Sequence, residues 1–126
     1  MLLAVPKQNN SIKELKHFLS ERKADLYVFP EGFLDSNVLG EAVAIIRKEE
    51  KYVITGYKDF SQNGQQKALV IDGGNIVDEY TKCILTKGEK QKKKRHGEKI
   101  GCVNTKFGQI GIPICYEMHF PEVARI

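Results

Sequence analysis

Apolar residues recur along this chain in two rhythms. After Ser11 they fall at helical spacing, at Ile12, Leu15, Phe18 and Leu19, and Ser11 with Glu14 has the spacing of a capping box that opens a helix. Val38, Leu39, Ala42, Val43, Ile45 and Ile46 repeat that rhythm and predict a second helix over about 37–48, its apolar side being core. The other rhythm is that of strands, over residues 2–5, 25–29, 52–57, 68–71 and 76–77. Asp72-Gly73-Gly74-Asn75 separates the last two and predicts a hairpin. A second hairpin is expected from residues 101–104 and 109–115 around Lys106-Phe107-Gly108. Strand and helix alternate first and hairpins follow, which predicts an α/β fold; the absence of a repeat or linker predicts one domain over 1–126.

Composition narrows the class of protein. With 126 residues, 41% hydrophobic and 29% charged, the chain has the balance of a soluble globular domain with a modest core. No apolar run is long enough to span a membrane, and Met1-Leu2-Leu3-Ala4-Val5 meets Pro6-Lys7 too soon for a signal peptide. Cys83, Cys102 and Cys115 are odd in number and show no paired spacing, so reduced thiols and a cytoplasmic location are expected. The net charge of +4 is concentrated in Lys90-Gln-Lys-Lys-Lys-Arg95-His96. Such a run is read either as a solvated loop or as an anion-attracting lip; no aromatic residues are interleaved with it, which disfavours a nucleic-acid platform.

The candidate chemistry lies at strand ends. The run 109–115 delivers Cys115 into a polar turn, Tyr116-Glu117-Met118-His119, a placement that holds a thiol rigidly and presents it to a pocket. A small buried apolar residue is the competing reading of Cys115. Glu31 ends the strand that runs through Phe29-Pro30, and Lys82 follows the strand over 75–81. A carboxylate, an ammonium and a thiol at the ends of neighbouring strands are able to converge on one site.

These segments together resemble the nitrilase superfamily of carbon-nitrogen hydrolases along nearly the whole chain. Phe29-Pro30-Glu31 is similar to the family's glutamate motif and Tyr80-Thr81-Lys82 to its lysine motif. The cysteine motif is the longest match, taking in Gly108-Gln109-Ile110-Gly111, Ile114-Cys115-Tyr116-Glu117 and Phe120-Pro121-Glu122. The resemblance implies Glu31 as general base, Lys82 as stabiliser of the tetrahedral intermediate, Cys115 as nucleophile and, by a looser match, Glu89 as a supporting glutamate. It also implies an α-β-β-α sandwich of which this chain holds a partial version, lacking the C-terminal half.

Amide cleavage accounts for these residue types on chemical grounds. A thiol becomes a strong nucleophile when a base takes its proton and a cation favours the thiolate. Charge that develops on the carbonyl oxygen is stabilised by an ammonium and by a backbone N–H, here that of Tyr116. No metal or organic cofactor is needed. His119, four residues after Cys115, offers a cysteine–histidine alternative, but the intervening turn disrupts helical spacing and Pro121 starts the helix only afterwards. Metal ligation by Cys115 and His119 lacks a second pair of ligands.

Two functions are carried forward. One is hydrolysis of a non-peptide carbon-nitrogen bond in a small-molecule amide, or less favourably a nitrile. The other is a catalytically silent remnant that acts as an oligomerising or interaction module, because the chain ends inside an expected helix at Ile126. Either one leads to the expectation of a homo-oligomer or of a complementary C-terminal chain, without nucleic acid or membrane as partner.

Overall fold

The computed structural model describes residues 1–21, 23–62, 64–81 and 102–111. The elements run β1 (Leu2–Leu3), α1 (Ile12–Glu21), β2 (Tyr27–Val28), β3 (Leu34–Asp35), α2 (Ser36–Glu49), β4 (Tyr52–Asp59), a 3-10 turn (Phe60–Gln62), β5 (Gln65–Asp72), β6 (Asn75–Thr81), β7 (Cys102–Thr105) and β8 (Gly108–Gly111).

Helical crossovers make the first part of the sheet parallel. β1 pairs with β2 through Leu2↔Tyr27, and β2 pairs with β4 through Tyr27↔Val53. A parallel pair needs a connection long enough to return the chain to the same end of the sheet, and α1 and α2 provide it. The rest is antiparallel: β4 pairs with β5 from Tyr52↔Asp72 to Asp59↔Gln65, and β5 pairs with β6 through Ala68↔Tyr80 and Lys67↔Thr81. The strand order is β1-β2-β4-β5-β6, with β3 lying beside the far end of β4.

Side-chain alternation then separates the two faces of the sheet. Leu15 and Leu19 of α1 and Ala42 and Ile46 of α2 are buried one turn apart, against Tyr27, Phe29, Val53, Tyr57, Leu69 and Ile71. Complete burial of a Leu or Ile side chain stabilises by about 1.5–3 kcal/mol, so this helix-to-sheet seam is the main source of cohesion. The opposite face carries Leu26, Tyr52, Ile54 and Val70, with Val28 and Ile110 packed against them. The β7-β8 hairpin therefore covers this second face through Ile110, and Phe107 packs edge-on to Tyr52 at 5.2 Å. One helical layer, the main sheet and the start of a second sheet layer are thereby in place.

Several expectations need correction. The Ser11–Glu14 box is only half formed: the Glu14 N–H donates to Ser11 Oγ at 3.2 Å, but the Glu14 carboxylate accepts from the N–H groups of Lys7 and Gln8, each at 2.8 Å. It ties down the β1–α1 loop instead of returning to Ser11. α2 starts at Ser36, β4 runs two residues past Tyr57, and β5 starts at Gln65, because the β4–β5 ladder continues to Asp59↔Gln65. The Asp72–Asn75 hairpin is as expected, with Gly73 and Gly74 at positive φ. The Arg47 guanidinium fastens it by donating to the Gly74 carbonyl from Nε at 3.0 Å and Nη2 at 2.9 Å. Residues 112–115 of the expected last strand lie outside the described residues.

Candidate active site

Glu31 sits in a tight turn immediately after β2. The Phe33 N–H donates to the Pro30 carbonyl at 3.3 Å, and Gly32 has φ +64°. A positive φ at the third position of a four-residue turn favours glycine, so Glu31-Gly32 is matched to its geometry. The turn is anchored at both ends: Phe29 and Phe33 are buried and stacked at 5.0 Å, and Phe18 of α1 meets Phe29 edge-on at 5.9 Å.

The floor beneath the turn is a glycine in the middle of a strand. A Cβ on Gly56 of β4 would lie 2.5 Å from the Pro30 carbonyl oxygen, 2.7 Å from Glu31 Cα and 2.8 Å from the Gly32 nitrogen. Only a residue without a side chain lets the backbone of the glutamate turn rest directly on the sheet. From the other side Asn10, at φ 58°, clamps the same region: its Oδ1 accepts from the Asp35 N–H at 2.9 Å and its own N–H donates to the Phe33 carbonyl.

Two further polar residues flank the turn, and both were missed in the sequence. Lys58 and Gln66 are cross-strand partners on β4 and β5. A Cβ on Gly32 would meet Lys58 Cε at 3.1 Å and Gln66 Oε1 at 3.4 Å. Gln66 is only 6% exposed, and its Oε1 has no hydrogen-bond partner among the described residues. An unsatisfied buried acceptor costs about 1–3 kcal/mol, so this oxygen is an unfavourable feature of the fold taken alone. Gly56 did carry a signal, as an isolated glycine within the strand pattern over 52–57. Gln66 had none, since its lack of a donor is visible only in three dimensions.

On the helix-facing side of the same strands, Lys67 Nζ pairs with Asp59 Oδ2 at 2.9 Å and Glu79 Oε1 at 3.1 Å. Hydrogen bonds from Ser61, followed by the Lys67 bond, hold the Asp59 carboxyl below its usual range. Burial works against the Lys67 charge, but Asp59 and Glu79 outweigh it and the ammonium is held more firmly protonated. Burial, reinforced by the Glu79 charge, pushes the Tyr57 hydroxyl up.

Of the candidate catalytic residues read from the sequence, Glu31 is the one the structure describes. Lys82, Glu89, Cys115 and Tyr116 lie outside the described residues, as do the basic run 90–96 and His119. β6 is described as far as Thr81, whose partner Lys67 neighbours Gln66. Among the described residues no group of three or more His, Cys, Asp and Glu could hold a metal ion, and no helix is long and apolar enough to cross a membrane.

A glutamate on a rigid turn over a strand glycine suits acid–base work, and the sequence of the whole chain decides its context. The model of the carbon-nitrogen hydrolase family matches residues 5–126. The chain belongs to the carbon-nitrogen hydrolase family. Solved structures agree at the level of fold. An amidase of the nitrilase superfamily from Nesterenkonia sp. AN1 superposes with a TM-score of 0.72 at 20% identity, over 90% of this chain and 52% of that one. A CN-hydrolase superfamily protein of Xanthomonas campestris, solved with an arsenic adduct in its active site, gives 0.71 at 18% identity, over 96% and 54%. Among curated proteins, the omega-amidase NIT3 of Saccharomyces cerevisiae is 50% identical over 30 residues, which are 24% of this chain and 10% of that protein. This carbon-nitrogen hydrolase chain therefore has a partial nitrilase-like α/β fold, spanning about half the length of the two solved structures described.

Proposed function

We propose that this carbon-nitrogen hydrolase chain encodes the catalytic half of an amidase-type site in which Glu31, Lys82 and Cys115 act together. The observation that carries the reading is the family match over residues 5–126, a span that contains all three residues, together with the rigid seating of Glu31 over Gly56. Glu31 takes the proton of the Cys115 thiol, and sulfur attacks the amide carbonyl. Lys82 and the Tyr116 N–H stabilise the resulting oxyanion, with Glu89 in support. The C–N bond then breaks as Glu31 returns its proton to the departing amine, leaving a thioester on Cys115. Glu31 next takes a proton from water, hydroxide equivalent adds to the thioester, and the C–S bond breaks to release the acid and restore the thiol. The cycle is complete without a metal or organic cofactor. Amide is favoured over nitrile as the substrate class, in line with the amidases among the relatives.

The interaction-module reading keeps one supporting observation. β1 is an edge strand of the described sheet, and Leu3 and Val5 are 65% and 82% exposed, an apolar rim suited to a second copy or a complementary chain. One comparison separates the two readings. Ammonia release from acetamide, propionamide and butyramide is measured for the chain and for Cys115→Ala, with sedimentation run on both. Thiol-dependent turnover supports the hydrolase. Association without turnover, unchanged by the substitution, supports the module.

A further inference from the structure

The open acceptor beside the glutamate turn has no role in the chemistry described above. Gln66 Oε1 is buried, lacks a donor among the described residues, and lies beside Gly32, the residue after Glu31. Protein interiors rarely leave such an atom unpaired, and when they do a bound molecule is one source of the missing donor. Lys58, its cross-strand neighbour, narrows the class of that molecule. Its Cε lies within 3.1 Å of the same point beside Gly32, so the ammonium repels a cationic donor and favours a neutral N–H.

Resting on the hydrolase reading, we infer that Gln66 is a specificity-determining residue: its side-chain carbonyl accepts an N–H of the substrate's carboxamide nitrogen, next to Glu31. A primary amide has two N–H groups. One faces the acid–base carboxylate and the other satisfies Gln66, which orients the leaving nitrogen toward its proton donor. The site thus discriminates in favour of unsubstituted amides, because a substrate without that N–H leaves the buried acceptor unpaired.

The test compares the chain with Gln66→Met, which keeps side-chain length but removes the carboxamide, and with Gln66→Asn, which keeps a carboxamide on a shorter stem. Turnover of propionamide and the thermal midpoint with and without propionamide are measured for each. The inference expects Gln66→Met to lose about tenfold to a hundredfold in kcat/KM, chiefly through KM, with Gln66→Asn retaining more activity. It also expects an unliganded midpoint no lower than that of the parent, since the substitution removes an unpaired acceptor, and loss of the propionamide-induced rise. A parent-like KM overturns it, and so does a fall in midpoint that accompanies the activity loss, which marks a packing residue. The two levels fail separately. If the chain does not turn over propionamide, yet propionamide raises its midpoint and not that of Gln66→Met, the binding inference stands and the hydrolase reading falls. If Cys115-dependent turnover is intact in Gln66→Met, the reverse holds.

Discussion

Glu31 Cα rests so closely on Gly56 that a Cβ at position 56 would stand 2.7 Å from it. The main chain of β4 is thus the seat of the turn that carries the glutamate, and backbone-to-backbone contact helps to fix the position of the candidate base. Neither partner has room to give, because Pro30 and Gly32 crowd the same point and Phe29 and Phe33 are locked in the core.

Gly56→Ala is therefore expected to destabilise the chain by about 1–3 kcal/mol, the range for a forced steric insertion in a packed interior. Turnover should fall along with stability as the turn is displaced. Urea unfolding checks the first part, and an unchanged midpoint would show that the turn lifts off the sheet freely.

Glu31→Gln should separate chemistry from folding. Glu31 is half-buried and the substitution keeps its size and shape, so the thermal midpoint should stay close to that of the parent. Loss of a general acid–base group costs about 10²–10⁴ in rate. Steady-state ammonia release decides it; retention of full kcat would remove Glu31 from the mechanism.

Both helices were legible in the sequence because Ile12, Leu15 and Leu19, and likewise Ala42 and Ile46, repeat at helical spacing and bury one face. The Asp72–Asn75 hairpin was legible because its two central glycines adopt φ values open to few other residues. β1 and β2 fall inside the strands expected over 2–5 and 25–29, shortened to two residues each, whereas β3 was not legible, being two residues long and too short for any periodicity. Glu31 was found from its strand-end motif. The supports of Glu31 were not: Gly56 acts through a contact between strands, Asn10 reaches across 25 residues to Asp35, and Gln66 is notable only for the donor it lacks.

Asn10 yields a prediction about that support. Its positive φ is tolerated by Asn and Gly far better than by other residues, and its side chain satisfies the Asp35 N–H at the start of α2. Asn10→Ala loses both the bond and the backbone preference, whereas Asn10→Gly loses only the bond. Chemical denaturation should rank Ala below Gly by about 1 kcal/mol; the opposite order would mean that the left-handed conformation is not maintained.

The Lys67 network sets a pH window for stability. Asp59 titrates lower in the folded chain than in the unfolded one, so its contribution is present above the ordinary carboxylate range and is lost as pH falls through the folded value. Lys67 titrates higher when folded, so its contribution is complete below the ordinary lysine value and is lost as pH rises through the folded one. Tyr57, also raised, loses its share on the alkaline side. Lys67→Met should flatten the stability–pH curve at both ends in urea titrations. Curves that stay parallel across the full pH range would assign the dependence to other groups.

The central claim is that Glu31, Lys82 and Cys115 share one site, and the rate of iodoacetamide alkylation at Cys115 as a function of pH tests it most directly. Peptide mass spectrometry should find Cys115 modified before Cys83 and Cys102, with a midpoint below the roughly 8.5 of a free thiol. That midpoint should rise in Lys82→Met, as the cation favouring the thiolate is removed. Alkylation of Cys115 no faster than of the other two, or a pH profile identical in the parent and Lys82→Met, would contradict the shared site.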